Sequence, residues 1–157
     1  MIDLHCHILP WVDDGAESFN ESVNMARIAW EHGIDKIFAT PHYIEGEGYN
    51  NYKWNKEILN LLNNKLKDNN IDIDIFLGNE VYITPNVLEL LDNNKIVTLN
   101  FSRYMLVELP QFDIPKFVES VIFKMRLKGL IPIIAHPERN AKIIENPNIL
   151  YDFIMRG

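Results

Sequence analysis

The chain has 157 residues, of which 47% are hydrophobic and 24% charged, so we expect a single globular domain with a buried core. Its formal net charge of −7 argues against a general nucleic-acid binder, whose affinity would depend on Lys and Arg. The single cysteine excludes an intramolecular disulfide and fits a reducing cytoplasm. The apolar runs are too short for a membrane span and no secretory signal is visible, so we expect a cytoplasmic protein without membrane insertion.

The first half of the chain alternates between predicted strands and helices. In chain order we predict strand 2–5, helix 18–32, strand 35–40, helix 52–68 and strand 71–77. Ser18 and Glu21 have the spacing of a capping box at the start of the first helix, and Gly33 marks its end. Apolar residues at helical spacing are expected to face the core: Val23, Ala26, Trp30, Trp54, Ile58, Leu61, Leu62 and Leu66.

The second half continues the alternation and thereby indicates the fold class. We predict helix 85–92, strand 95–98, strand 104–108, helix 114–128, strand 131–135 and a last helix that opens at Pro147. Thr84 and Pro85 have the residue types of a cap and a first helical position. Repeated strand–helix units predict an α/β fold with a parallel sheet, which is either open or closed into a barrel.

Side chains that can bind metal follow apolar runs at five places in the chain. These residues are the pair His5 and His7, then His42, Glu80, Glu108 and His136. The carboxyl edge of a parallel sheet is where ligands and metals bind, so we expect these side chains to meet there. The remaining histidine, His32, lies in the last turn of a helix, where a cationic ring suits the helix dipole, and we assign it no chemistry.

His5 and His7 are two residues apart, so on a strand they share a face and both can reach one metal ion. Alternatively, both lie on a solvated strand end. Cys6 points the other way, and we interpret it as structural. Asp13 is interpreted as a turn residue, whereas the Asp14 carboxylate bends back toward the histidines if the rest of the cluster forms.

Two carboxylates and one arginine complete the candidate site. Glu80 and Glu108 follow apolar residues, where a carboxylate is costly unless it is paired or metal-bound, and structural salt bridges are the competing explanation. Arg139 offers a planar set of donors that matches phosphate oxygens. The alternative for Arg139 is a surface ion pair with Glu138 or Glu145.

The combined motifs resemble those of a known family over the whole chain. They are His5-x-His7 with Leu9-Pro10 and Asp13-Asp14-Gly15, Ala39-Thr40-Pro41-His42-Tyr43, Gly78-Asn79-Glu80-Val81, Leu106-Val107-Glu108 and Ala135-His136-Pro137-Glu138-Arg139. They resemble the polymerase-and-histidinol-phosphatase (PHP) superfamily. Within it, the chain is similar to the bacterial manganese-dependent tyrosine-protein phosphatases of capsule and exopolysaccharide synthesis.

The resemblance implies a distorted β/α barrel with two or three metal ions at its carboxyl edge. It also implies hydrolysis of phosphotyrosine on a partner bacterial tyrosine kinase. The positions that match metal ligands are His5, His7, Asp14, His42, Glu80, Glu108 and His136. Arg139 matches the residue that holds the substrate phosphate, so we give it the catalytic and substrate-binding role. Manganese follows from the resemblance alone, because such ligands also suit iron or zinc.

The resemblance also concerns the length of the chain. Members of this family continue past the equivalent of Gly157 into strands that carry an Asp-x-His metal pair and another arginine. We therefore expect residues 1–157 to be the N-terminal part of a longer phosphatase domain and the barrel to be incomplete. We further expect a weakened metal site, low or absent activity, and a homo-oligomer in which a second copy covers the open sheet edge.

Two other functions stay open at this point. One is a histidinol-phosphate-type phosphatase on the same scaffold, and the other is a catalytically impaired fragment that binds metal or oligomerises. Tyr43, Tyr49 and Tyr52 are candidates for shaping the mouth of the site, and no general acid can be named. Neither a Gly-x-Ser-x-Gly elbow nor a Cys-based phosphatase loop is present in the sequence.

Overall fold

The structure, a computed structural model, describes residues 1–47 and 52–156. Its strands are β1 (Ile2–Cys6), β2 (Lys36–Ala39), β3 (His42–Tyr43), β4 (Asp74–Leu77), β5 (Glu80–Tyr82), β6 (Tyr104–Glu108) and β7 (Ile131–Ile134). Its α-helices are α1 (Phe19–Glu31), α2 (Tyr52–Asp68), α3 (Val87–Asp92), α4 (Phe117–Leu127), α5 (Ala141–Glu145) and α6 (Asn148–Arg156). Short 3-10 helices lie at Leu99–Phe101 and Pro137–Arg139.

The strands form two parallel sheets, in the orders β1-β2-β4 and β3-β5-β6-β7. Two-residue breaks at 40–41 and 78–79 separate β2 from β3 and β4 from β5. Across these breaks the Gly78 N–H donates to the Ala39 carbonyl at 2.8 Å, and the Glu80 N–H donates to the Pro41 carbonyl at 3.1 Å. The strands therefore follow one another in chain order around a distorted β/α barrel, as predicted.

Asn79 lies in the break between β4 and β5, and its contacts explain why one predicted strand is wrong. Its side chain is buried, donates to the Pro41 carbonyl at 3.3 Å and accepts the Val97 N–H at 3.0 Å. Residues 95–98 form no strand; they are an irregular segment ahead of the 3-10 turn. Ile96 and Val97 are nevertheless buried, so burial rather than strand pairing accounts for their apolar character.

The hydrophobic core lies between the sheets and the helices outside them. Packed against α1 and α2, the first sheet buries Ile37, Ala39, Ile75 and Leu77 among Ala26, Ile58, Leu62 and Leu66. Packed against α4, the second sheet buries Val81, Met105 and Val107 among Val118, Val121 and Met125. The helices thus cover the outer faces, as predicted, and the carboxyl ends of the strands stay accessible.

The predicted apolar faces of the first two helices are partly wrong. Trp30 on α1 is 40% exposed, and Trp54 and Leu61 on α2 are 51% and 53% exposed. Asn55 and Leu59 are buried instead, because the face of α2 that meets the sheet is rotated toward these two positions. The cap of α1 is confirmed, since the Ser18 Oγ accepts the Glu21 N–H at 3.1 Å.

Some element ends differ from the predicted ones. Helix α3 begins at Val87 with Asn86 as its N-terminal flanking residue, and Thr84 instead accepts the Asn86 N–H at 3.3 Å. The alternating Ile-Asp segment joins the sheet only from Asp74, because the residues before it lead out of the turn after α2. Among the described residues, none of the helices is both long and apolar enough to cross a lipid bilayer.

Candidate metal centre

All eight predicted site residues line one cleft of about 670 Å³ at the carboxyl ends of the strands. His5 lies in β1, Glu108 ends β6, and His136 follows the end of β7 by two residues. His42 and Glu80 were expected just beyond strand ends, and they are the first residues of β3 and β5. The breaks before these two strands therefore bring both side chains to the place where the two sheets meet.

Glu80 lies at the centre of the cleft, and its side chain is fully buried. Its Oε2 atom is 3.0 Å from His5 Nε2, 3.1 Å from His7 Nε2 and 3.1 Å from His42 Nδ1. Its Oε1 atom is 2.7 Å from His136 Nε2. Four imidazoles thus surround one carboxylate, two of them from the end of β1 and the residue after it.

Glu108 closes the far side of this cluster. One of its oxygens is 3.7 Å from His42 Nδ1, and the other is 3.7 Å from His136 Nε2. Burial and the nearby charge of Glu80 raise the pKa of the Glu108 carboxyl above its ordinary value. The two carboxylates are thus held near each other with imidazoles between them, which opposes their mutual repulsion.

The ionisation of the cluster follows from these contacts. Burial by itself raises the pKa of Glu80, but the neighbouring His5 and His7 outweigh it and hold that pKa well below its usual range. Burial lowers the pKa of His7, but contacts with Asp13 and Glu80 prevail and raise it to about 10. A cation that binds a His7 nitrogen must therefore compete with a proton.

The donor atoms fit divalent cations. In three groups, the ligating atoms lie within 4.8 Å of one another: His5, His7 and Glu80; His7, Asp14 and His42; and His42, Glu80 and Glu108. Glu80 belongs to two of them, as a bridging carboxylate would. Its Oε2 atom is buried, yet no described residue gives it a hydrogen bond of favourable geometry. A cation among the surrounding nitrogens would satisfy that oxygen.

The exposure and contacts of Asp13 and Asp14 differ from the roles predicted for these two residues. The predicted ligand Asp14 is 77% exposed, with Oδ1 at 3.5 Å from His42 Nε2 and 3.7 Å from His7 Nδ1. Asp13, interpreted only as a turn residue, is the buried one, and its Oδ2 is 2.7 Å from His7 Nδ1. Sequence reasoning missed this contact; the only signal was that Asp13 directly precedes a candidate ligand.

Arg139 lies at the rim of the cleft, where the 3-10 turn after β7 places it. It also lines an adjoining cavity of about 180 Å³, together with Gln111 and Asn140. Glu145, one of the alternative partners, instead pairs with Lys142 at 2.9 Å. The guanidinium is exposed and next to the cluster, where it can contact an anion bound there.

Several other sequence interpretations can be compared with the structure. Cys6 packs against the core below α1 and α2, as expected, but it also lines the cleft. Burial and the charges of Asp3 and Asp13 raise the pKa of its thiol to about 12, which disfavours a role as nucleophile or thiolate ligand. The His32 Nδ1 atom bonds to the carbonyl of its own helix at 2.8 Å, away from the cleft. Tyr43 and Tyr52 pack against hydrophobic clusters, and Tyr49 lies outside the described residues.

Comparison with known proteins decides the family. Residues 1–157 match the family model described as capsular polysaccharide synthesis, CpsB/CapC. The chain belongs to the CpsB/CapC family. It is 41% identical to the tyrosine-protein phosphatase YwqE of Bacillus subtilis (strain 168) and 36% identical to the putative tyrosine-protein phosphatase CapC of Staphylococcus aureus, each over 157 residues. It is 31% identical to the tyrosine-protein phosphatase CpsB of Streptococcus pneumoniae over the same length.

The fold of this CpsB/CapC chain is also that of its relatives. It superposes with a TM-score of 0.96 and 41% identity on a chain from crystal structures of B. subtilis YwqE and S. pneumoniae CpsB, described as unique metal-dependent tyrosine phosphatases. The match covers 100% of this chain and 64% of that one. Against the whole relatives, the chain spans 62% of YwqE, 62% of CapC and 65% of CpsB.

Proposed function

We propose that the chain is the metal-binding part of a phosphomonoester hydrolase that removes phosphate from phosphotyrosine. The observation that carries this proposal is the cluster around Glu80, in which one buried carboxylate touches four imidazoles beside an exposed Arg139. Such a cluster is costly unless cations bind there. The relatives YwqE and CpsB are tyrosine-protein phosphatases, which supports phosphotyrosine as the substrate.

The cations would be held by the three groups of ligating residues described above, with His136 beside Glu80. Manganese is our first choice, and iron and zinc suit the same nitrogen and oxygen donors. Divalent ions in such sites activate water as a nucleophile and neutralise charge on the phosphoryl group. Two ions with a shared carboxylate would explain why Glu80 belongs to two of the groups.

The residues of the chain supply binding and orientation. The Arg139 guanidinium would hold two phosphate oxygens in a bidentate contact, so the phosphorus faces the carboxylate and imidazole cluster. The Glu80 and Glu108 carboxylates face inward between the imidazole rings. The open side of the cleft is therefore accessible to the substrate phosphate. A tyrosyl phenolate has a pKa of about 10 and leaves without a strong general acid.

The physiological substrate would be a phosphotyrosine segment of a bacterial tyrosine kinase that acts in capsule or exopolysaccharide synthesis, within the cytoplasm. The family description and the names of the relatives support this assignment. The cleft is an open one, which suits a phosphorylated side chain on a protein surface. The net charge of −7 disfavours nucleic acid as a competing substrate.

The experiment is a comparison of two phosphoesters with and without metal. Purified protein is stripped with a chelator, reloaded with Mn²⁺ and assayed on a phosphotyrosine peptide and on histidinol phosphate. We expect slow hydrolysis of the peptide, in keeping with the weakened metal site, that is lost on chelation and restored by Mn²⁺. Preference for histidinol phosphate would support the alternative phosphatase. Binding of Mn²⁺ without turnover on either substrate would support an impaired metal-binding fragment.

We also infer that the chain associates with a second copy of itself. Helices α4 and α6 border a groove of about 550 Å³ that contains Phe123 and Phe153. Phe123, Leu127 and Ile154 are more than 60% exposed, and within the described residues β7 pairs on one side only. Exposed apolar patches and free sheet edges favour association. A monomer by light scattering at micromolar concentration would contradict this inference.

A further inference from the structure

One carboxylate outside the predicted ligand set contacts two of the ligand-bearing residues. Asp13 Oδ2 lies 2.7 Å from His7 Nδ1 and also accepts the backbone N–H of His42 at 2.9 Å. Asp13 Oδ1 accepts the Gly15 N–H at 3.1 Å. The three contacts come from the end of β1, the start of β3 and the loop between β1 and α1, so one side chain connects three parts of the barrel rim.

The surrounding loop is built to bury this carboxylate. The Asp13 side chain is only 4% exposed, because residues 8–16 fold back onto the end of β1. The Ala16 N–H donates to the His7 carbonyl at 3.1 Å. A Cβ atom on Gly15 would lie 2.1 Å from that same carbonyl oxygen, so only glycine allows the loop to approach so closely.

The two oxygens of Asp13 do different things. A turn residue needs only Oδ1, which bonds to the backbone two positions later. Oδ2 makes no contact within the turn and is directed instead at His7 and His42. Burial raises the pKa of Asp13, but the hydrogen bonds from His7, His42 and Gly15 outweigh burial and lower it.

We propose that Asp13 is a positioning residue of the metal centre, which fixes the ring of His7 and the start of β3 at His42. Because Asp13 Oδ2 accepts a hydrogen bond from His7 Nδ1, the other ring nitrogen, Nε2, faces Glu80 Oε2 at 3.1 Å. A carboxylate bonded to the far nitrogen sets the tautomer and orientation of a metal-binding imidazole and increases its basicity. This inference rests on the metal centre of the proposed function.

The first test measures Mn²⁺ affinity of the purified chain by isothermal titration calorimetry. Asp13→Asn keeps the size of the side chain but removes its charge and directs an amide N–H at one of the donors. We expect a loss of affinity of about 10- to 100-fold. Asp68→Asn, an exposed change at the end of α2, is the matched control and should bind like the wild type. Equal affinity of Asp13→Asn and wild type would overturn the inference.

A second measurement asks whether Asp13 acts through His7. In a His7→Ala background, Asp13→Asn should lower affinity by several-fold less than it does in the wild-type background. An equal loss in both backgrounds would show that Asp13 only supports the fold locally.

A third measurement uses only the metal-free wild-type protein, so its result does not depend on metal binding or on the folding of a variant. In metal-free wild type, proton–nitrogen NMR should show a downfield hydrogen-bonded N–H at His7 Nδ1, and its absence would overturn the inference. If that signal is present but Mn²⁺ does not bind, the metal centre fails while the Asp13–His7 pairing stands.

Discussion

Glu80→Gln is the substitution that separates a metal centre from a cluster of structural ion pairs. Glu80 is fully buried and belongs to two of the three candidate metal groups. Loss of an outer-shell partner alone typically weakens metal binding by about 10- to 100-fold, and Glu80 would be a direct ligand. The dissociation constant for Mn²⁺ should therefore rise by at least about 100-fold.

The effect can be read from thermal unfolding. At Mn²⁺ equal to 100 times the wild-type dissociation constant, binding stabilises the folded state by about 2.7 kcal/mol. A chain of 157 residues gains about 2–4 °C in Tm per kcal/mol, so wild type should shift by about 5–11 °C. At the same concentration Glu80→Gln is at or below half saturation. Its stabilisation falls to about 0.4 kcal/mol or less, and its Tm shift to about 1–2 °C at most.

The measurement is differential scanning fluorimetry with and without Mn²⁺, compared within each variant. Glu89→Gln, an exposed change on α3, should keep the full shift. Glu108→Gln, which removes a member of one group only, should give an intermediate shift. A Glu80→Gln protein that keeps the wild-type shift would refute the reasoning, because the shared carboxylate would then contribute nothing to metal binding.

Three further predictions concern other parts of the site. Arg139→Lys keeps the charge but loses the bidentate fork, so KM for a phosphotyrosine peptide should rise about tenfold or more, with Mn²⁺ affinity unchanged by calorimetry. Since the pKa of Cys6 is about 12 against 9.0 for a free thiol, the metal-free protein should react with iodoacetamide at pH 8 roughly 1000-fold more slowly than the unfolded chain. The protonated thiol of Cys6 is favoured in the folded state, so its contribution to the free energy of unfolding is intact below pH 9 and should be lost as the pH rises toward 12. A free energy of unfolding that rises over this pH range would contradict the raised pKa of Cys6. Gly15→Ala should cost about 1–3 kcal/mol in chemical denaturation and also weaken Mn²⁺ binding, because the new Cβ displaces His7, whereas Gly33→Ala should cost stability without affecting the metal.

The candidate site residues could be expected to converge from sequence alone, because burial and chelation require different residue types. His136 and Glu108 each follow an apolar run in the sequence. Because the apolar residues form a buried strand, the polar side chain is expected at the accessible end of that strand. The parallel fold then brings these ends together. The metal-binding roles of these residues stay predictions.

The short strands of the second sheet could not be predicted. β3 has two residues and β5 has three, too few for any periodicity to be visible. His42 of β3 and Glu80 of β5 are register partners in a parallel pair. Next to this pair, the Asn79 side chain in the break before β5 donates to the Pro41 carbonyl in the break before β3. Tertiary contacts of this kind leave no local signal.

The predicted strand at 95–98 failed for a related reason. Its apolar residues are buried beneath the sheets, and the Val97 N–H bonds to the side chain of Asn79 instead of a neighbouring strand. Asp13 was underestimated because Asp followed closely by Gly is a common turn signal. The turn is present, and the same side chain also contacts His7, which only the folded loop reveals.

Anomalous diffraction from crystals grown with Mn²⁺ would test the central claim most directly. We predict a manganese peak within bonding distance of a Glu80 oxygen and of nitrogens from at least two of the surrounding imidazoles, among them His5, His7 and His42. No peak in the cleft at saturating Mn²⁺, or a peak bound only by exposed carboxylates elsewhere, would contradict the account.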